Sequence, residues 1–288
     1  MKQFKILILT TILLSLGVTF LSTKIVIELN NYKANKNEIA ELLNFENRIL
    51  DGSEIIPFFG DGDSKNKEWD VLYKKASETY DTALKYSFVL LIVVLIYAFI
   101  NYLTYQNTVD KSRVLGIVFI FAALSFLYLG LQNPMLEIEA YSKDLELGSG
   151  LFSKTFEGRT YYLYQNKSIL ELITLLFSGG NLLVGICVLV FSIIFPLFKL
   201  TASLIALLKP NTKMAQRSLS VINKLGKWSM ADVFISAVFL AVFSFANMNL
   251  GVDTSSNTLI GLHFFLAFVL LSIVSGQFLK HVITHKKN

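Results

Sequence analysis

The sequence has little cysteine and lacks the common catalytic signatures. Cys187 is the only cysteine in a chain of 288 residues, which excludes an internal disulfide and any thiolate metal cluster. No Walker-type loop and no G-x-G-x-x-G, H-E-x-x-H or G-x-S-x-G string occurs. We therefore expect a protein that is not an enzyme, has no ATP site and holds no cofactor.

Charge is also scarce. Only 16% of the residues are charged, whereas 53% are hydrophobic and the mean hydropathy is +0.56. These values exclude a soluble globular protein of this length and predict a chain that crosses a membrane several times. The net charge of +5 is concentrated in a few short connections, so it indicates topology and attraction to anionic lipid headgroups rather than nucleic-acid binding.

Long uncharged runs define the predicted membrane segments. A helix needs about 20 apolar residues to cross the hydrocarbon core. Continuous apolar runs without a two-residue alternation favour helices over the strands of a barrel. Six runs qualify, at residues 6–23, 86–109, 114–136, 172–198, 233–252 and 254–279. The sequence thus predicts an all-α polytopic membrane protein with six transmembrane helices, the first of them retained rather than cleaved as a signal peptide.

The distribution of lysine and arginine predicts the orientation, because positive residues concentrate in the short cytoplasmic connections. The connections at residues 30–85 and 137–171 mix lysine with many acids, and the one near Asp253 has no basic residue. Both chain ends are therefore expected inside. The predicted cytoplasmic charges are Lys2, Lys5, Lys111, Arg113, Lys209, Lys213, Arg217, Lys224, Lys227, Lys280, Lys286 and Lys287.

Two connections on the opposite side differ in character. Residues 37–50 and 67–84 have helical spacing and flank a breaker stretch at 57–62, which predicts an outer helical hairpin between helices 1 and 2. Residues 136–140 alternate and residues 160–164 are β-branched and aromatic, which predicts a small extracytoplasmic β layer between helices 3 and 4. We expect two units, an N-terminal two-helix hairpin at 1–110 and a four-helix module at 111–288.

One basic segment carries the most specific string. It holds six basic residues from Lys199 onward, and no acid occurs before Asp232. It ends in W-S-M-A-D-V-F at residues 228–234, where the fifth run begins. The fourth run ends in F-P-L-F-K-L at residues 195–200. With the predicted β loop before them, these strings make residues 112–285 resemble the paraquat-inducible protein A family of bacterial inner-membrane proteins.

The resemblance implies a four-helix module of the inner membrane that moves lipids across the envelope of a Gram-negative bacterium. It also implies a partner, a lipid-binding protein of the mammalian-cell-entry type. Family members often carry two modules and cysteine-rich zinc ribbons, whereas this chain has one module and one cysteine. Zinc is therefore not expected here, and residues 1–110 have no counterpart in the family.

The family strings contain two of the few charges that could lie within the membrane. Trp228, Ser229 and Asp232 share one helical face, and Lys199 follows Pro196 at the cytoplasmic end of the fourth run. A pair between Asp232 and Lys199 would latch two helices or move with transport. Alternatively, Ser229 and Asp232 form a capping box, Trp228 belongs to the interfacial aromatic belt and Lys199 snorkels. Both interpretations remain open.

A polar patch, Ser178-Gly179-Gly180-Asn181, interrupts the fourth run. The glycine pair could open a break that faces a substrate, since unwound backbone at membrane depth needs protein or a wet cavity beside it. We favour close packing of a neighbouring helix on the glycines, or a re-entrant start to a helix that begins near Leu182.

The family resemblance and the interrupted apolar bundle together favour a membrane component of lipid trafficking, with membrane lipids as its partners. Two alternatives remain, a non-transporting tetraspan-like scaffold and a sensor that uses the outer hairpin.

Overall fold

The computed structural model describes residues 2–50, 62–147, 154–210 and 252–285, together with positions 212, 215–217, 220 and 237. Its helices are α1 (Lys2–Leu42), α2 (Phe45–Leu50), α3 (Gly62–Thr104), α4 (Thr108–Gln132), α5 (Ile169–Ser178), α6 (Leu182–Leu189), α7 (Phe195–Leu208) and α8 (Ile260–His285). A π-helical turn, Val190–Ile194, joins α6 to α7. The strands are β1 (Leu136–Leu147), β2 (Lys154–Lys167) and β3 (Asp253–Thr258).

Helices α1 and α3 form the predicted outer hairpin and continue it into the apolar part of the chain. Each is an unbroken helix of more than 40 residues. The predicted segment at 67–84 is therefore helical, and the one at 37–50 is helical except at residues 43–44, between α1 and α2. Buried Ile25 and Leu29 of α1 share the main core with Leu90 and Val94 of α3. The hairpin is therefore a packed pair of long helices rather than a flexible loop.

Helices α4 and α8 form the centre of the bundle and run antiparallel. Phe119 stacks on Phe278 near one end and Phe126 packs on Phe264 near the other. Asn107 caps the start of α4 by accepting a hydrogen bond from the Val109 N–H at 3.0 Å. Most of α4 is buried, because other helices of the bundle pack around it.

The small antiparallel sheet is confirmed, and it has one more strand than predicted. Its order is β2-β1-β3, with both neighbours antiparallel to β1. The third strand corrects the sixth run, because residues 254–258 form β3 and α8 begins only at Ile260. Those residues are polar but uncharged, so counting charges alone placed them in the membrane run.

The fourth run also needs correction. The chain between 172 and 198 does not form one helix: α5 ends at Ser178, and the apolar helix that follows extends from Leu182 to Leu208. The alternative of a helix that begins near Leu182 is therefore confirmed. Lys199 marked the end of the run only because it is charged, and the apolar sequence resumes directly after it.

Four helices in the described ranges are long and apolar enough to cross a membrane: Trp69–Thr104, Thr108–Gln132, Leu182–Leu208 and Ile260–His285. Helix α1 passes through the first predicted run, at residues 6–23, and the fifth run, at 233–252, lies outside the described residues except for positions 237 and 252. Six transmembrane helices and the N-in, C-in arrangement stay predictions.

The two ends of the bundle differ. The sheet and the outer part of the hairpin lie at one end, and the other end holds the α3–α4 connection and the end of α7. Arg113 of α4 donates from Nε to the Leu207 carbonyl and from a terminal nitrogen to the Leu208 carbonyl, both at 2.8 Å. Those carbonyls lack partners within the helix, so Arg113 caps α7 and ties it to α4.

Candidate functional site

A polar cleft lies between the helical hairpin and the sheet. We call it the sheet cleft; its volume is about 410 Å³, with α1 and α3 on one side and all three strands on the other. At its base are Glu137 and Glu139, only 4% and 3% exposed. Alternate residues of a strand point to the same face, so β1 directs both carboxylates toward the hairpin.

Each carboxylate has several partners. Glu139 accepts from Lys36 Nζ at 3.1 Å, and its other oxygen lies 3.5 Å from an Arg159 nitrogen and 3.4 Å from Ser255 Oγ. Glu137 accepts from the hydroxyls of Tyr164 at 2.6 Å and Tyr32 at 3.2 Å. Lys36 Nζ also lies 3.4 Å from Glu137. Buried charges require such compensation, and here the two acids face two cations.

The cleft shifts the titration of its members. Burial, and then the charge of Glu137, hold the pKa of both Tyr32 and Tyr164 well above the usual tyrosine range. Burial alone would lower the pKa of Lys36, but Glu137 and Glu139 together outweigh it and raise the value. The tyrosines therefore stay protonated as donors and Lys36 stays charged at neutral pH.

A second ionic contact fastens the hairpin to the start of α5. Lys33 of α1 donates to Glu171, which also completes a capping box with Ser168. Burial raises the pKa of Glu171, but the Lys33 hydrogen bond and the Ser168 backbone N–H lower it by more. The hairpin thus contacts the second half of the chain at the cleft and at the first turn of α5.

The polar patch at residues 178–181 forms a sharp turn between α5 and α6. Gly180 has φ of +78°, a conformation that favours glycine, and the Asn181 N–H bonds to the Leu176 carbonyl. A Cβ on Gly185 would lie 3.0 Å from the Phe177 ring, although residues eight apart in a straight helix are separated by about 12 Å. The chain therefore bends sharply here.

Close helix packing does not explain this glycine pair within the described residues. A Cβ on Gly180 would meet no atom within 4 Å, and one on Gly179 would approach the Leu175 carbonyl of its own helix. Gly180 is needed for the backbone turn and not for the approach of a neighbour.

Lys199 lies inside the apolar helix Leu182–Leu208 and not at its end. Nine residues separate it from Leu208, about 14 Å along the axis, and its side chain is half-buried. No ion pair joins Lys199 to another described residue. Pro196 follows the π-helical turn, which accommodates a residue that cannot donate to the preceding turn.

Trp228, Ser229 and Asp232 lie outside the described residues, so the predicted Asp232 to Lys199 pair stays a prediction. The structure brings Pro196 and Lys199 together on one helix, and it places Ser178, Gly179, Gly180 and Asn181 at the other end of that apolar segment. No group of three His, Cys, Asp or Glu side chains suited to a metal occurs within the described ranges.

Sequence reasoning missed the sheet cleft. A signal was present, since Glu137 and Glu139 alternate with apolar residues in β1 and therefore share a face. That pattern could not show that the hairpin would cover the acidic face, because Lys36 is about 100 residues away in the chain.

The comparisons support the resemblance over part of the chain. Residues 156–283 match the family model of Paraquat-inducible protein A, from β2 through the W-S-M-A-D-V-F string and almost to the end of α8. The match is shorter than the expected 112–285 and leaves out the hairpin, α4 and β1. No curated protein and no solved structure matches the chain significantly. The chain therefore contains a paraquat-inducible protein A domain at residues 156–283.

Proposed function

We propose that this chain is an inner-membrane component of lipid trafficking across a Gram-negative envelope, and that it is not an enzyme. The family domain and the four apolar helices fit an integral membrane protein. The lipid role is supported by one observation above all, the break at residues 178–181 at the head of an apolar helix.

That helix is the most exposed of the four in the described part of the chain. Leu183 and Val184, directly after the break, are exposed, as are Ile186 and Phe198 further along. A sharp turn built from a serine, two glycines and an asparagine gives this apolar surface a polar end. A lipid needs both features, since its chains contact apolar side chains while its headgroup requires polar partners.

Lys199 adds a second polar point within the same helix. An ionisable residue inside a membrane helix is costly and is a functional candidate by default. We propose that Lys199 and Asp232 form a pair that changes as lipid moves. The chain has no nucleotide-binding motif, so energy for uphill movement would come from a gradient or from a partner, for which we propose a mammalian-cell-entry-type lipid-binding protein.

Photo-crosslinking tests the lipid role. A crosslinking residue replaces Asn181 or Asp232, and the matched control replaces Leu270, an exposed apolar residue of α8 that samples ordinary surrounding lipid. After purification in native lipid, we expect the adducts at Asn181 to be enriched in a lipid class relative to those at Leu270. The same lipid distribution at all positions would contradict the proposal.

A transfer assay tests the break itself. Proteoliposomes containing a fluorescent phospholipid are mixed with acceptor vesicles, with and without the partner protein. We expect Gly179→Ala with Gly180→Ala to slow transfer. We expect Gly276→Ala to leave transfer unchanged, because a Cβ at this helical position would meet no described residue within 4 Å. Equal rates for the double variant and the native chain would favour the scaffold alternative.

A further inference from the structure

The sheet cleft has the composition of a binding site that the lipid role does not use. It combines two buried carboxylates, two cations and the aromatic faces of Tyr32, Tyr73 and Tyr141 in one open cavity. Tyr73 is half exposed, so the cleft can be reached from solvent. A volume of about 410 Å³ lies within the range of small-molecule sites.

The charges of the cleft restrict its ligand. Glu137 and Glu139 balance Lys36 and Arg159, so the cleft is neutral overall. A ligand with one charge would leave a protein charge without a partner in a buried place, which is costly. A ligand with both charges can exchange partners instead, pairing its cation with a glutamate and its anion with Lys36 or Arg159.

The aromatic side chains favour an ammonium group as the cationic part. The faces of tyrosine rings attract ammonium and guanidinium groups, and the cleft already shows this contact twice. Lys36 Nζ lies 5.9 Å from the centre of the Tyr73 ring, and the Arg159 guanidinium lies 4.5 Å from that of Tyr141. An ammonium ligand beside these rings would also reach the carboxylates of β1.

We propose that the sheet cleft binds a small zwitterion that carries an ammonium group and a phosphodiester. Glu137, Glu139 and the tyrosine rings hold the ammonium, and Arg159 and Lys36 hold the phosphodiester. The requirement for both charges rests on the cleft geometry, and a phosphodiester suits Arg159 and Lys36 because guanidinium and ammonium groups both bind phosphate oxygens. Two sources have this chemistry, the headgroup of a membrane lipid and a free soluble molecule, and only the first rests on the proposed lipid role.

Calorimetric titration of the full chain in detergent tests the ligand class. Glycerophosphoethanolamine carries both charges, ethanolamine only the cation and dimethyl phosphate only the anion. We expect the zwitterion to bind at least about tenfold more tightly than either single-charge probe, which corresponds to about 1.4 kcal/mol. Equal affinity for ethanolamine, or no binding of the zwitterion, would overturn the proposal.

A filling variant tests the location without breaking an ion pair. Ser77 lines the cleft and is exposed, while the neighbouring Glu78 is exposed but does not line it. We expect Ser77→Trp to abolish zwitterion binding and Glu78→Trp to preserve it. Arg159→Gln, at the partly exposed edge, should weaken binding about tenfold. Unchanged binding by Ser77→Trp would exclude the sheet cleft as the site.

Nanodiscs separate the two sources. The titration is repeated in bilayers of phosphatidylglycerol with and without phosphatidylethanolamine. Weaker binding of the free probe in the presence of phosphatidylethanolamine would show that lipid headgroups occupy the cleft. Equal binding in both bilayers would identify a soluble zwitterion as the ligand, and this result would leave the transfer assay at residues 178–181 unaffected.

Discussion

At the scale of single residues, Glu139 is central to the sheet cleft. It contacts a cation from α1 and another from β2, and it accepts from Ser255 of β3. Removing one member of a buried ionic group leaves the remaining charges without full compensation, so the loss exceeds the net value of the pair. Glu139 therefore affects both the binding chemistry of the cleft and the attachment of the hairpin.

We predict that Glu139→Gln destabilises the protein by about 3 kcal/mol, because Lys36 and Arg159 lose their shared acceptor. Unfolding in detergent mixtures of increasing SDS content measures the change. The matched control is Glu146→Gln, an exposed position on the same strand, which should change stability by less than about 0.5 kcal/mol. Equal effects of the two variants would mean that the buried network adds nothing.

The Lys33–Glu171 contact should make stability depend on pH. In the folded protein the pKa of Glu171 is lowered below its ordinary 4.5. The contact therefore stabilises the protein fully above pH 4.5, and this stabilisation is lost as the pH falls through the lowered pKa of the folded state. We predict that native protein is more stable than Glu171→Gln by a constant amount above pH 5. The difference should shrink below pH 4.5, as measured by thermal unfolding across the pH range.

At the scale of elements, the corner between α4 and α8 depends on one glycine. The Gly261 N–H donates to the Pro134 carbonyl at 3.2 Å. A Cβ on Gly261 would lie 2.5 Å from the Asn133 carbonyl oxygen and 2.6 Å from that of Pro134. The two elements meet backbone to backbone here, which leaves no room for a side chain.

We predict that Gly261→Val destabilises the protein by about 2 kcal/mol or more, because the added atoms overlap with backbone that is held by the sheet. Gly276→Ala on the same helix is the control, since a Cβ there meets nothing within 4 Å in the described structure. It should be neutral or slightly stabilising. The folded fraction after heating, measured by fluorescence-detected size exclusion, distinguishes the two.

The sequence predicts these elements to different degrees. Apolar runs located α3, α4 and α8 because a membrane helix needs a long uncharged stretch. The ends were less predictable: Thr254 and its polar neighbours carry no charge although they form β3, and Lys199 is charged although it lies within a helix. The sheet cleft could not be predicted, since its charges come from α1, β1 and β2.

At the scale of the whole molecule, the two ends of the bundle differ in charge. One end carries the sheet, and the other, the basic end, carries Lys111, Arg113 and Lys209. Exposed Lys143 of β1 belongs to the sheet end, and exposed Lys209 follows the capped end of α7. The positive-inside bias predicts that the basic end faces the cytoplasm. These two lysines therefore report on orientation.

We predict that Lys143→Cys reacts with a membrane-impermeant maleimide on intact spheroplasts and that Lys209→Cys reacts only after lysis. Both variants are made in a Cys187→Ser background, which is otherwise free of cysteine. Labelling of Lys209→Cys on intact spheroplasts, without labelling of Lys143→Cys, would reverse the predicted orientation.

The Arg113 cap also limits movement at one end of the apolar helix Leu182–Leu208. Arg113 holds the carbonyls of Leu207 and Leu208 against α4, whereas the opposite end of that helix meets α5 through a glycine turn. Near the capped end, Leu200 and Leu207 are buried in the main core, whereas Leu183 and Ile186 near the glycine turn are exposed. We therefore expect any displacement of this helix to be largest at residues 178–181, and we expect Arg113→Gln to loosen the capped end without changing the glycine turn.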